Sequence, residues 1–379
     1  MKMFRVMVCA ACIIAAAAAS AVAGDTIKVG AVLAETGPAS FLGAPEAKTL
    51  RMLVDDINAK GGINGNKIEL IIKDTQASPE KAVSFAKQLI DEDKVFAIIG
   101  PSTSGETMAI KNIAEEGKTI LLSCAAAEVI VNPVAKYVFK TPQKDSDAVI
   151  KIFDQMKKMG ITKIGVLSSN TGFGQAGKEQ LEKLAPEHGI QIPISEVYDK
   201  AATDLTAEVT KLKAANVQAI VNWSIEPAQA IVIKNARQIG MTVPIFQSHG
   251  FGNIKYVRAA GAAAEGVIFP AGRLLVADVL SAKNPQKKVL ESYKKEYEAK
   301  YKEDVSTFGG HAYDAMLILE RGIKEAGTDR EKVRAAIEQI KGLVGADGIF
   351  NFSPTDHNGL DANAFEMLTV KDGKFAVLE

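Results

Sequence analysis

In 379 residues the chain has only 3 cysteines, 4 histidines and 1 tryptophan, and its 45 basic residues balance 45 acidic ones. Each scarcity excludes something. Two of the cysteines, Cys9 and Cys12, fall in an apolar leader, so Cys124 is left alone and no intramolecular disulfide can form; the fold must stand on its core. Four scattered histidines and no clustered Cys/His spacing argue against a metal centre, so neither metal nor other cofactor is expected. A balanced charge gives no field to attract nucleic acid or an anionic membrane, which leaves a small neutral or zwitterionic molecule as the expected partner. Enzyme signatures are missing too: there is no G-x-S-x-G elbow and no H-E-x-x-H helix, and Cys124, followed by "AAAE", reads as a small buried thiol rather than a nucleophile. The one long hydrophobic run is at the start, where Lys2 and Arg5 precede an apolar stretch from Val6 to Ala19, followed by "SAVAGD". With small residues at Ala21 and Ala23, residues 1–23 read as a secretory signal peptide, too short in its apolar part to span a bilayer. The mature chain should start near Gly24 and be soluble outside the cytoplasm.

What is present is a rhythm. The short β-rich runs "TIKVGAVLA", "KIELIIKD", "VFAIIG" and "TILLS" alternate with the amphipathic stretches "PEAKTLRMLVDDINAK", "PEKAVSFAKQLIDE" and "SGETMAIKNIAEEG". The same alternation restarts after "YVFKTPQKDSDAV" with "KIGVLSS", "IPISEVYD", "QAIVNWS", "VPIFQS" and "EGVIFPA" between helical runs. This predicts an α/β fold with two doubly wound parallel-sheet lobes. Beyond Pro285 the chain turns helical, and Asp372-Gly373 predicts a tight hairpin near its end.

In such sheets ligands lie beyond the carboxyl ends of the strands. After the third strand, "GPSTSGE" places Ser102, Thr103 and Ser104 at a helix start, where hydroxyls and free N–H groups either seat a carboxylate or merely cap the helix. In "SSNTGFGQAGKEQ", Gly172, Gly174 and Gly177 have the G-x-G-x-x-G spacing of a dinucleotide fingerprint, with Glu196 and Asp199 at a distance suited to a ribose contact. That fingerprint needs its first glycine where the strand ends, yet Ser168 to Thr171 intervene after "KIGVL", and a secreted chain meets little nicotinamide cofactor.

Nearly the whole mature chain resembles the periplasmic solute-binding proteins of branched-chain amino-acid ABC importers, the type I or leucine/isoleucine/valine-binding class. The resemblance is carried by "IKVGAVLAETGPASFLG", "DINAKGGINGNKIELIIKDTQASPEKAV", "IIGPSTSGETMAI", "NTGFGQAG", "NARQIGMTVPIFQSHGFGN" and "AAAEGVIF". It implies crossover hinge strands joining the lobes, with residues 24–142 and 275–354 in lobe one and residues 143–274 and 355–379 in lobe two. It places Ser104 and the backbone of Ala125 on a ligand carboxylate, Leu42 and Phe41 on an apolar wall, and Thr171 or Phe173 across the cleft. Two departures stand out. Ala127 replaces the family's threonine, and His249 replaces an acidic residue that commonly pairs with the ligand ammonium. Either Glu226 supplies the anion, or the ligand carries no ammonium. Trp223 either lines the cleft or covers the sheet edge; His311 and Tyr313 begin a helix near the cleft, with a packing role as the other reading. An aromatic carboxylate of the benzoate or cinnamate type is therefore a rival to leucine. His188 and His357 suggest only solvent exposure.

The implied activity is capture without chemistry. A monomeric periplasmic carrier would close on its ligand and dock on a membrane permease with its ATPase, a diffusible role suited to a chain ending at Glu379 with no span or catalytic domain. A secreted sensor module is the runner-up.

Overall fold

The computed structural model describes residues 25–379; the signal peptide read over residues 1–23, with Cys9 and Cys12, lies outside the described residues. The chain begins with β1 (Ile27–Leu33), α1 (Ser40–Ala59), β2 (Ile68–Asp74), α2 (Pro79–Lys87), β3 (Ala97–Ile99), α3 (Ser104–Glu116), β4 (Ile120–Ser123) and β5 (Val138–Lys140). These strands form a parallel sheet in the order β2-β1-β3-β4-β5. Because strand side chains alternate, one sheet serves two cores. Val29, Ala31, Ile99 and Leu122 face one layer, and Val32, Ile98 and Leu121 face the other.

After crossing at residues 141–144 the chain forms α4 (Asp145–Lys158), β6 (Lys163–Ser169), α5 (Gly172–Leu184), β7 (Gln191–Tyr198), α6 (Thr206–Ala214), β8 (Ala219–Trp223), α7 (Ala228–Gln238), β9 (Ile245–Gln247), α8 (Ile254–Ala260) and β10 (Ile268–Gly272). It then returns to the first lobe with α9 (Lys287–Tyr301), α10 (Thr307–Ala326), α11 (Arg330–Glu338) and the short pair β11 (Leu343–Val344) and β12 (Ile349–Phe350). Finally β13 (Phe365–Lys371) and β14 (Lys374–Val377) join the second sheet, whose order is β14-β13-β10-β9-β8-β6-β7. Only the pairings of β13, with β10 and with β14, are antiparallel there. The architecture is thus two doubly wound lobes linked by crossing segments. In lobe one, Leu50 and Val54 of α1 and Ala315, Met316 and Leu319 of α10 cover one face, while Ala82 of α2 and Ile110 of α3 cover the other. At about 1.5–3 kcal/mol per buried large apolar side chain, such layers hold the fold without a disulfide. Cys124 is free and buried.

The expected turns form: Gly61 and Gly62 take positive φ after α1, Asn64-Gly65 turns between the bridged Ile63 and Asn66, and Asp372-Gly373 joins β13 to β14. Three expectations change. The first helix starts at Ser40 rather than Pro45, so that Pro45 lies inside it; lacking an N–H, the proline leaves the carbonyl of Phe41, four residues back, without its helical donor. The last crossing comes at Phe365 rather than between residues 354 and 355, because Leu360 and Ala364 still pack in the first lobe's core whereas Phe365 belongs to the second's. His357 is fully buried rather than solvent-exposed: it stacks on Phe139 at 4.1 Å, with Nδ1 2.9 Å from the Val138 carbonyl and Nε2 3.2 Å from Glu338.

Candidate functional site

In each sheet the helical connections diverge at one point, between β1 and β3 and between β6 and β8. The loops leaving these strand ends converge, as expected for a ligand crevice. They line a narrow chamber with about 300 Å³ of atom-free space, part of it open to solvent. Lobe one supplies Leu42 from α1, Ser102 and Ser104 around the start of α3, Cys124, Ala125 and Ala126 after β4, and Phe308 and His311 from α10. Lobe two supplies Phe173 from α5, Ile225 after β8, and His249 and Gly250 after β9. A mouth of about 700 Å³ shares Ser104, Phe173 and Ile225 with the chamber and adds Thr103, Thr171, Lys200 and Glu226.

The three hydroxyls at the start of α3 have separate roles. Thr103 Oγ1 accepts from the Glu106 N–H at 3.3 Å and donates to Glu106 Oε2 at 2.6 Å, capping the helix. Ser102 Oγ accepts from the Ala34 N–H at 3.0 Å and donates to Glu46, so both its capacities are used within the protein. Ser104 Oγ accepts from the Ala127 N–H at 3.2 Å, which leaves its O–H to donate into the chamber beside the positive end of the helix dipole. Ala127 itself is buried outside the lining, and the Ala125 N–H donates to Ser123 Oγ at 3.1 Å.

Two imidazoles face one another's lobe across this chamber. His311 Nδ1 lies 2.7 Å from Asp347 Oδ2; burial pushes the imidazole down to about 3 and the Asp347 carboxyl up, both toward their uncharged forms. Burial, with Lys140 and His311 nearby, holds His249 well below the usual imidazole range. Its Nε2 stops 3.7 Å from Asp145 Oδ1, beyond hydrogen-bond reach, and neither ring nitrogen has a hydrogen-bond partner among the described residues. Behind it, the buried Lys140 donates to the carbonyls of Ala126, Pro142 and Gln143 at 2.8, 2.7 and 3.1 Å. Burial pushes this amine below its usual range and the Asp145 carboxyl above its own.

Several residues expected in the cleft lie outside the chamber lining. Trp223 is fully buried one layer back, tilted against Phe173 at 5.8 Å and edge-on to His249 at 5.6 Å, so it supports the lining instead of forming it. Tyr313 packs on Tyr293 at 4.9 Å and borders a groove with Leu53 and Glu296, away from the chamber. Phe41 meets Tyr256 edge-on at 4.9 Å, where the lobes touch. Thr171 is at the mouth, but its Oγ1 caps α5 by accepting from the Gly174 N–H at 3.2 Å. Glu226 is also at the mouth, its Oε2 accepting from Ser224 Oγ at 2.6 Å and the Ile225 N–H at 3.1 Å. The three glycines of the G-x-G-x-x-G spacing serve close protein contacts: a Cβ would meet the Gly105 nitrogen at 3.0 Å from Gly172, the Ser169 carbonyl at 2.0 Å from Gly174 and the Trp223 indole at 2.0 Å from Gly177. Ile225, Gly250 and Phe308 are not among the residues read from the sequence. Phe308 could have been, since it sits three residues before His311 on the same face of α10.

A family model described as periplasmic binding protein matches residues 26–374. The chain is 29% identical, over 86% of each sequence, to a leucine-, isoleucine-, valine-, threonine- and alanine-binding protein of Pseudomonas aeruginosa. Among solved structures, an extracellular ligand-binding receptor from Rhodopseudomonas palustris HaA2 is similar with a TM-score of 0.88 and 28% identity, covering 94% of this chain and 100% of that one. The branched-chain amino acid transporter substrate binding protein LivJ from Streptococcus pneumoniae, in complex with isoleucine, is similar with a TM-score of 0.82 and 27% identity, covering 93% and 99%.

Proposed function

We propose, from the premise that this chain belongs to the periplasmic binding protein family, that it is the extracytoplasmic substrate-binding component of an ABC importer, trapping a branched-chain amino acid or a related small carboxylate between its lobes. The observation that carries this reading is a single chamber walled by both lobes, with the Ser104 hydroxyl at the start of α3 turned to it. The relatives' names, binding proteins for small aliphatic amino acids, support the ligand class.

The mechanism follows from where the walls belong. Lobe one offers the carboxylate seat at Ser104; lobe two offers Phe173, Ile225 and His249, which complete the enclosure only when the lobes meet. A ligand that touches both walls binds the closed form more tightly and shifts the population toward it. No group is asked to transform the ligand. The closed monomer would be the form that docks on a membrane permease working with its ATPase, in the periplasm. Among the described residues no helix is long and apolar enough to cross a membrane.

The test is a thermal-shift series on the mature protein with leucine, isoleucine, valine and a set of benzoates, paired with small-angle scattering. A ligand present at about 100 times its Kd adds about 2.7 kcal/mol and should compact the particle. Stabilisation by benzoates alone would move the ligand to the aromatic class, and silence with every carboxylate would end the reading.

A further inference from the structure

We propose that His249 sets the chemical class of the ligand: the chamber takes a small carboxylate whose second polar group is an uncharged hydroxyl or carbonyl, as in the 2-hydroxy or 2-oxo acid counterpart of a branched-chain amino acid, in preference to an α-ammonium. This deepens the carrier reading and rests on it.

His249 is 6% exposed, lines the chamber and has both ring nitrogens unpartnered. A buried polar group without a partner is costly, and the natural partner is whatever fills the chamber. A neutral imidazole offers one donor and one acceptor, so it serves a carbonyl or a hydroxyl according to tautomer. It does not neutralise a cation.

Nor does anything else in the lining. The chamber holds no carboxylate among the described residues. The nearest acids lie behind the lining: Asp347 bonds His311 at 2.7 Å, Glu46 accepts from Ser102 through one oxygen, and Asp145 accepts from the Glu128 N–H at 3.3 Å through Oδ2 while its Oδ1 faces His249 Nε2 at 3.7 Å. Burial also holds Glu46 and Asp347 toward their uncharged forms. Glu226 lies at the mouth rather than in the chamber lining, with Oε2 bonded to Ser224 and Ile225. Carbonyls could solvate an ammonium in place of an anion, but three beside the chamber already accept a hydrogen bond. Ser224 takes Ser248 Oγ at 3.1 Å, Ile225 takes the Tyr256 hydroxyl at 2.5 Å, and Ala126 takes Lys140 at 2.8 Å. The lysine behind Ala126 adds a repulsion toward any second cation, while favouring the carboxylate.

Three ligands of one shape decide it: leucine, 4-methyl-2-oxopentanoate and 2-hydroxy-4-methylpentanoate, titrated calorimetrically into the wild-type mature protein. The oxo or hydroxy acid should bind at least tenfold more tightly than leucine. H249D, which puts an anion at the same position, should narrow or reverse that ranking, and H249Q, which keeps a neutral donor and acceptor, should preserve it. Leucine binding wild type more tightly than both analogues overturns the inference and leaves the carrier reading standing. Silence with all three and with benzoate overturns both. Should H249D fail to fold, the wild-type ranking alone separates the two ligand classes.

Discussion

Asn253 reaches from lobe two to the backbone carbonyl of Phe41 in lobe one, with Nδ2 3.0 Å from the oxygen. That carbonyl is available because Pro45, four residues on, has no N–H to give it within α1. A helix defect in one lobe thus becomes an acceptor for the other, and on the proposed hinge motion the bond would break as the lobes part. Asn253 also caps α8, its Oδ1 accepting from the Lys255 N–H at 3.0 Å. Asn253→Asp keeps the cap and loses the donor. At about 0.5–1.5 kcal/mol for the lost bond, and more for facing a carboxylate to a carbonyl, ligand dissociation should quicken by roughly 3–10-fold or more. Stopped-flow release would show it, with the melting temperature of the ligand-free protein little changed.

Ser104→Ala tests the carboxylate seat. The variant removes the hydroxyl donor in the chamber and leaves the Ala127 N–H without its acceptor. A hydrogen bond to a charged group is worth about 1.5–3 kcal/mol, so affinity for any carboxylate should fall by roughly 10–100-fold in equilibrium dialysis. An unchanged Kd would exclude Ser104 from the site.

Gly177→Ala separates packing from helix propensity. In an exposed helix the change would add stability, up to about 1 kcal/mol. Here the new Cβ would lie 2.0 Å from Trp223 Nε1, with indole carbons at 2.1 and 2.2 Å. The ring is fully buried and cannot swing clear without disturbing Phe173 and His249. Overpacking of this kind costs about 1–3 kcal/mol, so the melting temperature should fall, and ligand affinity with it. A stabilised variant would mean that the indole yields easily.

The strand and helix rhythm, the glycine turns and the placing of Ser104 at a helix start were all legible in the sequence, because each depends on residues close together along the chain. The chamber was only half legible. Its walls come from widely separated segments, from Leu42 to His311, and periodicity tells which face of an element is buried without telling against what. Trp223 shows the limit: its place at the end of β8 gave its height in the sheet correctly, but whether the ring points into the chamber or under it depends on Gly177, 46 positions earlier by residue number. His357 failed for a similar reason, since a loop that looks solvated in sequence is drawn under Phe139 by the crossing segments. Pro45 misled by suggesting a helix start where there is an interior defect put to use.

Glu46 should make stability fall as pH rises through neutrality. It is fully buried on α1, its Oε2 accepts from Ser102, its Oε1 has no partner among the described residues, and Glu106 is close enough to repel a second negative charge. Burial pushes its carboxyl from 4.5 up to about 8. Between those values the folded chain keeps a proton that the unfolded chain has released, so folding is favoured at the acid end and the advantage drains away as pH approaches 8, by at most about 1.4 kcal/mol per pH unit. Glu46→Gln removes the titration and keeps an oxygen for Ser102. Burial also moves the Lys140 amine downward and the Asp145 carboxyl upward, so the informative quantity is the difference between variant and wild type. Denaturant midpoints measured from pH 5 to pH 8.5 should show the variant gaining on wild type up to about pH 8 and levelling off beyond it. Parallel profiles would mean that the carboxyl is ionised in the folded protein and that its surroundings solvate it far better than its burial implies.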